Sequence, residues 1–210
     1  MCSSDLLGAV FSDLRGEDSV RVIVLTGEKP DIFSVGPTTQ EYDDNVPDLT
    51  TGNMTPMNDP HRNWRTFTGL VRCHEAMAAI EKPIIAKING ENIAFGSSVM
   101  FSSDLIYARD DARIGDNHLG MGEMAPYGPR WGMVPGDGGA ALAPLYFSPP
   151  LAKEYLMLGK TWTGRELAEM HLINGAVPAD QLDAVVNDVV ARLLRSEEHT
   201  SELQSRLHLV

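Results

Sequence analysis

Three short runs of β-branched and aliphatic residues, each closed by a turn or a polar residue, constrain this chain most. They are Val20-Arg21-Val22-Ile23-Val24-Leu25 before Thr26-Gly27, Ile84-Ile85-Ala86-Lys87-Ile88 before Asn89-Gly90, and Leu105-Ile106-Tyr107-Ala108. A strand with one wet face alternates apolar and polar residues, whereas near-continuous apolar runs suit strands covered on both faces of a parallel sheet. Helical patterns fall between and after them. Trp64, Phe67, Leu70, Val71, His74, Met77 and Ala78 share one helical face until Lys82-Pro83 breaks it. Leu7 to Leu14 reads as the end of a helix, and Pro150 to Leu158 and Gly164 to His171 read as two short ones. Leu172 to Val177 returns as a strand edge. Asp180 then caps Gln181 to Leu194, where Leu182, Val185, Val186, Val189, Val190 and Leu193 form a stripe. Asp43 to Asp59 is polar and reads as a loop. The alternation predicts one α/β domain with parallel strands, without an internal repeat.

Both ends look foreign to that pattern. Arg195 to Ser205 resembles the in-frame translation of a DNA-sequencing adapter, Met1 to Leu6 resembles its opposite strand, and Arg206 to Val210 extends the adapter reading. The expected division is therefore 1–6 and 195–210 as adapter scars around a domain at 7–194, cut at both ends. Of the formal net charge of −12, the two ends carry −2, leaving −10. An acidic chain is a poor partner for nucleic acid or an anionic membrane. Outside the scars Cys73 is alone, so no intrachain disulfide forms and a reducing, cytoplasmic setting is expected.

The chemistry concentrates after Asp104. Gly132-Met133-Val134-Pro135-Gly136-Asp137-Gly138-Gly139-Ala140-Ala141 sets one carboxylate among glycines, just before an apolar run that can open a helix. At a helix start the dipole and local N–H groups keep a carboxylate ionised, as a general base requires. The same placement suits a plain N-cap, and spacing alone does not separate the two. Upstream, Arg113-Ile114-Gly115-Asp116-Asn117-His118 leads into a loop, Leu119 to Arg130, rich in Gly, Met and Pro. No metal-ligand spacing stands out. Gly136 to Gly139 is not a phosphate loop, since no Lys-Ser or Lys-Thr follows.

Five blocks in order, covering Leu7 to Leu194, resemble the crotonase (enoyl-CoA hydratase/isomerase) superfamily. They are Val22 to Gly36 with Phe33-Ser34-Val35-Gly36, Lys82 to Gly90, Asn92 to Ala108, Pro135 to Gly139, and Lys153 to Val177. The resemblance implies a ββα spiral truncated at both ends, lacking its first strand and its C-terminal oligomerisation helices. It also implies two backbone N–H groups that polarise an acyl-CoA thioester carbonyl, and carboxylates that move protons. Coenzyme A enters as part of a small-molecule substrate, with no separately bound cofactor, and the full-length protein is expected as a homotrimer or hexamer.

Several positions depart from the family pattern. The first oxyanion donor belongs to the residue after Gly36, and that residue is Pro37, which has no N–H. The second falls at Phe95 or Gly96, within Ala94-Phe95-Gly96-Ser97. The two hydratase glutamates map onto Ser98 and His118. Asp137 and His118 remain as acid–base candidates, the His expected neutral near pH 7. Three readings stay open. The first is an acyl-CoA lyase, isomerase or hydratase-like enzyme using Asp137. The second is a coenzyme-A-independent β-diketone C–C hydrolase of the 6-oxocamphor hydrolase type, using His118 and Asp137. The third is a non-catalytic member of the fold. His74 reads as a packed histidine, His61 and His171 as surface residues, Glu123 as a solvated loop residue, and Trp64 and Trp131 as core.

Overall fold

The structure is a computed structural model that describes residues 3–35, 60–116, 118 and 135–207. The three apolar runs form β1 (Ile23–Thr26), β3 (Ile84–Ile88) and β5 (Leu105–Arg109). With β8 (Gly175–Val177) they make one sheet in the order β1-β3-β5-β8. All its pairings are parallel, with Ile23 beside Ile84 and Ile85 beside Leu105. The expectation of parallel strands in one sheet holds.

Cover on both faces follows from the sequence of β3. Successive strand residues point to opposite sides. Ile84 packs with Phe11 of α1 (Ser3–Arg15) and with Cys73 and Met77 of α2 (Pro60–Ala79). Its neighbour Ile85 packs with Leu182, Val186 and Val189 of a long C-terminal helix, Ala179–Leu207. That helix and α1 each run unbroken across the expected boundaries at Arg195 and Leu6. Leu6 and Arg195 are exposed. Among the described residues no helix is long and apolar enough to cross a membrane.

Three of the four strands of the first sheet hand over to a short strand of a second sheet. β2 (Ile32–Ser34) follows β1, β4 (Glu91–Ile93) follows β3, and β6 (Arg113–Gly115) follows β5; the order is β2-β4-β6-β7, with β7 at Trp162–Thr163. The first three are parallel and β7 is antiparallel to β6. The Asn89 side chain ties the handovers together: its Oδ1 accepts from Gly27 N–H at 2.8 Å and its Nδ2 donates to Lys29 O at 2.6 Å. Helices follow: α3 (Phe95–Phe101) after β4, then α4 (Gly139–Tyr146), α5 (Pro149–Leu158) and α6 (Gly164–Glu169), the Ala179–Leu207 helix being α7. The core beneath them holds Phe101 and a stack of Phe147, Tyr155 and Trp162, ring centroids 5.1 and 5.2 Å apart along Tyr155–Phe147–Trp162.

The step from β4 into α3 is strained. Ala94 sits at φ 52°, ψ −126°, a conformation that a Cβ disfavours. Ala94→Gly is expected to raise the unfolding free energy by about 1 kcal/mol, the relieved strain exceeding the added flexibility of the unfolded chain. Urea denaturation checks this. A loss of stability would mean that Ala94 packing against Ile93 and Val35 outweighs the strain.

Candidate active site

The second sheet carries the site at the carboxyl ends of its parallel strands, where open α/β sheets hold ligands. β4 and β6 are paired, Asn92 beside Ile114 and Ile93 beside Gly115. The chain leaves β4 into α3 and leaves β6 at Asp116. Two hydrogen bonds lock these exits side by side: Ala94 N–H and Ser97 Oγ both donate to Gly115 O, at 3.3 and 2.9 Å. Ser98 on α3 and Asp116 past β6 are thus fixed to one frame. Gly96 is needed here, since a Cβ on it would meet Asn92 Oδ1 at 2.3 Å and Ser34 Cβ at 2.5 Å. At the start of α3, Ser97 and Ser98 N–H donate back to Ala94 O. The Phe95 and Gly96 N–H groups precede these bonds, and a helix leaves such groups without intrahelical partners.

Asp137 approaches from the other side, just before α4. Helix α4 is capped by Gly138 at φ 120°, so Asp137 lies outside the helix and is not its N-cap. A Cβ on Gly138 would meet His74 Nε2 at 2.7 Å. His74 is half-buried; its Nε2 donates to the Asp137 carbonyl oxygen at 2.7 Å, and its Nδ1 lies 2.8 Å from Ser102 Oγ. The packed histidine of α2 thereby anchors the backbone of Asp137.

The side chains meet in a buried line. Asp137 Oδ1 accepts from Ser98 Oγ at 3.1 Å and from Gly139 N–H at 3.3 Å, and its Oδ2 lies 3.2 Å from His118 Nε2. On the far side of the ring, His118 Nδ1 is 2.9 and 3.0 Å from the two oxygens of Asp116. Asp116, His118, Asp137 and Ser98 are at most 7% exposed. The structure therefore brings together Asp137, His118 and Ser98, the last where the sequence resemblance puts a family glutamate, although the loop between His118 and Asp137 is long. Gly36, Pro37, Glu123, Trp131, the loop 43–59 and the side chains of His61 and Trp64 lie outside the described residues. His171 is exposed.

Sequence reasoning missed Asp116. Its signal was a carboxylate two residues before a candidate His, close enough to bond both the ring and the His118 N–H, at 3.0 Å. It also misjudged the charge on His118. Burial disfavours the imidazolium, but hydrogen bonds and charge from Asp116 and Asp137 outweigh it, and the pKa is pushed up to about 10. The expected neutral imidazole is thus corrected to an imidazolium between two carboxylates. Asp137 is also deeply buried, which works against its charge; His118, Gly139 N–H and Ser98 still hold it below the ordinary carboxylate range. Asp116, His118 and Asp137 bring three donor atoms within 4.8 Å, the spacing of a metal site. Their geometry differs from one, because the two ring nitrogens face opposite carboxylates and one ion can engage only one nitrogen.

The profile of the family described as Enoyl-CoA hydratase/isomerase matches residues 2–209. The chain belongs to the enoyl-CoA hydratase/isomerase family. Among curated relatives, Carnitinyl-CoA dehydratase of Proteus mirabilis is 26% identical over 96% of this chain and 72% of its own length. That of Citrobacter koseri is 24% identical over 90% and 64%. The chain thus spans roughly two thirds of these relatives. An enoyl-CoA hydratase from Bacillus anthracis shares the fold with TM-score 0.74 and 21% identity, over 91% of this chain and 65% of that one. Pseudomonas aeruginosa DspI does so with TM-score 0.74 and 19% identity, over 92% and 70%. The ββα spiral expected from the sequence is the fold of this family.

The charged line has a pH signature. Between about pH 6.5, where an unfolded histidine titrates, and the folded value, the folded chain binds more protons than the unfolded one. Its contribution is whole below that window and lost as pH rises through it. Asp137 acts oppositely, its contribution fading as pH falls below the unfolded carboxylate range of about 4. The melting temperature of the wild-type chain should therefore fall between about pH 6.5 and 10, and His118→Gln should flatten that decline. Parallel wild-type and variant curves would contradict the ion pairing.

Proposed function

We propose that this chain acts on an enolisable acyl thioester, with coenzyme A as part of the substrate, and that Asp137 carries the proton. The observation behind this reading is the meeting of Asp137 with both positions where the family resemblance puts glutamates: Ser98 Oγ at 3.1 Å and His118 Nε2 at 3.2 Å. One carboxylate then stands where two are expected. A single carboxylate suits chemistry in which the group that removes the α-proton also returns it. The return is to a neighbouring carbon in an isomerisation, or to a departing hydroxyl in a dehydration.

In the proposed sequence, the thioester carbonyl oxygen sits against the N–H groups at the start of α3, Phe95 and Gly96, because position 37 has no N–H to offer. Asp137 takes the α-proton as the enolate forms and those donors hold the oxyanion. Ser98, whose hydroxyl donates to Asp137 in the resting site, rotates to accept from the protonated carboxyl. His118 remains an imidazolium, so the proton on Asp137 leaves a single paired cation rather than an isolated one. The named relatives, Carnitinyl-CoA dehydratases, support a thioester substrate at the level of resemblance.

The C–C hydrolase reading draws on the same His118–Asp137 contact. It ranks second because an imidazolium with both nitrogens engaged has no lone pair with which to activate water. A merely structural role ranks third, since a buried charged line costs stability that an apolar replacement would avoid.

Asp137→Asn should cost on the order of 10²–10⁴-fold in turnover of crotonyl-CoA or a 3-hydroxyacyl-CoA. Asp137→Ser, which keeps a short hydrogen-bonding side chain, should be as impaired. Full activity of a stable Asp137→Ser protein would remove Asp137 from the chemistry. Cleavage of a cyclic 1,3-diketone without thioester turnover would put the second reading first.

A further inference from the structure

The charge on His118 needs a cause that survives the reaction. During turnover Asp137 gains and loses a proton, so it cannot be the constant counter-ion of the ring. Asp116 can. It is 2% exposed, and among the described residues the only donors that reach it are His118 Nδ1 and the His118 N–H. Both its oxygens lie within 3.0 Å of Nδ1, and its backbone is the first residue beyond β6, fixed by the Gly115 carbonyl that receives Ala94 and Ser97. His118, by contrast, belongs to the loop beyond the strand. The rigid sheet thus holds the carboxylate, and the carboxylate holds the ring.

We infer that Asp116 is a positioning residue, which orients His118 through Nδ1 so that Nε2–H is always presented to Asp137. The inference rests on the reading of Asp137 as the proton carrier. With Asp116 in place, the ring stays charged whether Asp137 is ionised or protonated, and the basicity of Asp137 is set by a fixed neighbour. Without it, the ring is free to rotate and lose its proton, and Asp137 faces a variable partner. Among the described residues, few groups face this cluster from the packed elements. Ser98 comes from α3, His74 of α2 meets the Asp137 backbone, and Tyr155 comes from α5. Tyr155 is 1% exposed, and its hydroxyl has no partner in hydrogen-bond geometry among the described residues. Its pKa is raised by burial first and by the negative charge of Asp116 next. It adds no cation, so it cannot replace His118 as the partner of Asp116.

Histidine-labelled NMR across pH tests this without any substrate, with His118→Gln assigning the signal. In the wild-type chain His118 should stay protonated through pH 8. Asp116→Asn keeps the shape and should bring its midpoint down by at least one pH unit. Asp137→Asn should leave it clearly above the ordinary histidine value, because the Asp116 contacts remain. Asp116→Glu should restore part of the shift. Where turnover is measurable, Asp116→Asn should lower kcat with KM little changed and move the alkaline limb of the profile to lower pH. A wild-type midpoint near 6.5, or an Asp116→Asn midpoint within a few tenths of wild type, overturns the inference even if Asp137 proves essential. If Asp116→Asn does not fold, the wild-type and Asp137→Asn midpoints decide alone: a midpoint that collapses to the ordinary value in Asp137→Asn overturns it. Absence of turnover with the NMR result as expected would sink the thioester reading and leave the positioning role standing.

Discussion

An imidazolium held between two buried carboxylates is the constraint on which the site depends. Removing charges from water is expensive, and the expense is recovered only with good geometry and further hydrogen bonds. Here the geometry comes from three directions. The end of β6 delivers Asp116, α3 delivers Ser98 with its hydroxyl on Asp137, and His74 of α2 fixes the Asp137 backbone. Each supporting element is packed into the cores on the two sheets, so the order of the sheets and the charge of the site are one problem. The strained Ala94 and the side-chain-free Gly96 are where that problem is tightest.

The first sheet was legible because its strands are near-continuous apolar runs, although only β3 is buried on both faces and Val24 of β1 is 40% exposed. Ile84 and Ile85 point to opposite cores, and the strand is apolar apart from Lys87, whose ammonium pairs with Asp183 at 2.6 Å. The second sheet was not legible from residue pattern: its strands hold only two or three residues, too few for any period to register. It entered the reading only through family resemblance. In the site, Asp137 was visible because glycines isolate it, and His118 because the family resemblance puts a glutamate there. Asp116 carried no such mark. Its importance comes from the pairing of β4 with β6, which no local spacing reveals. The protonation of His118 was hidden for the same reason, since it is set by two carboxylates, one of them 19 positions downstream in the sequence.

The positions that resemble the hydratase glutamates carry a hydroxyl and an imidazolium, and the carboxylate lies between them. A hydroxyl can donate or accept, an imidazolium can only donate, and together they define what Asp137 is able to do. A protonated Asp137 could donate a hydrogen bond to Ser98 Oγ, but not to a ring whose two nitrogens both donate.

The coupling between His118 and Asp137 is the central claim, and a double-mutant cycle reads it directly. Unfolding free energies of wild type, His118→Gln, Asp137→Asn and the double variant, taken near pH 7, isolate the pairwise term. The buried ion pair predicts a coupling of about 1–3 kcal/mol, within the range for residues in one network. Additive effects, with a coupling near zero, would contradict it.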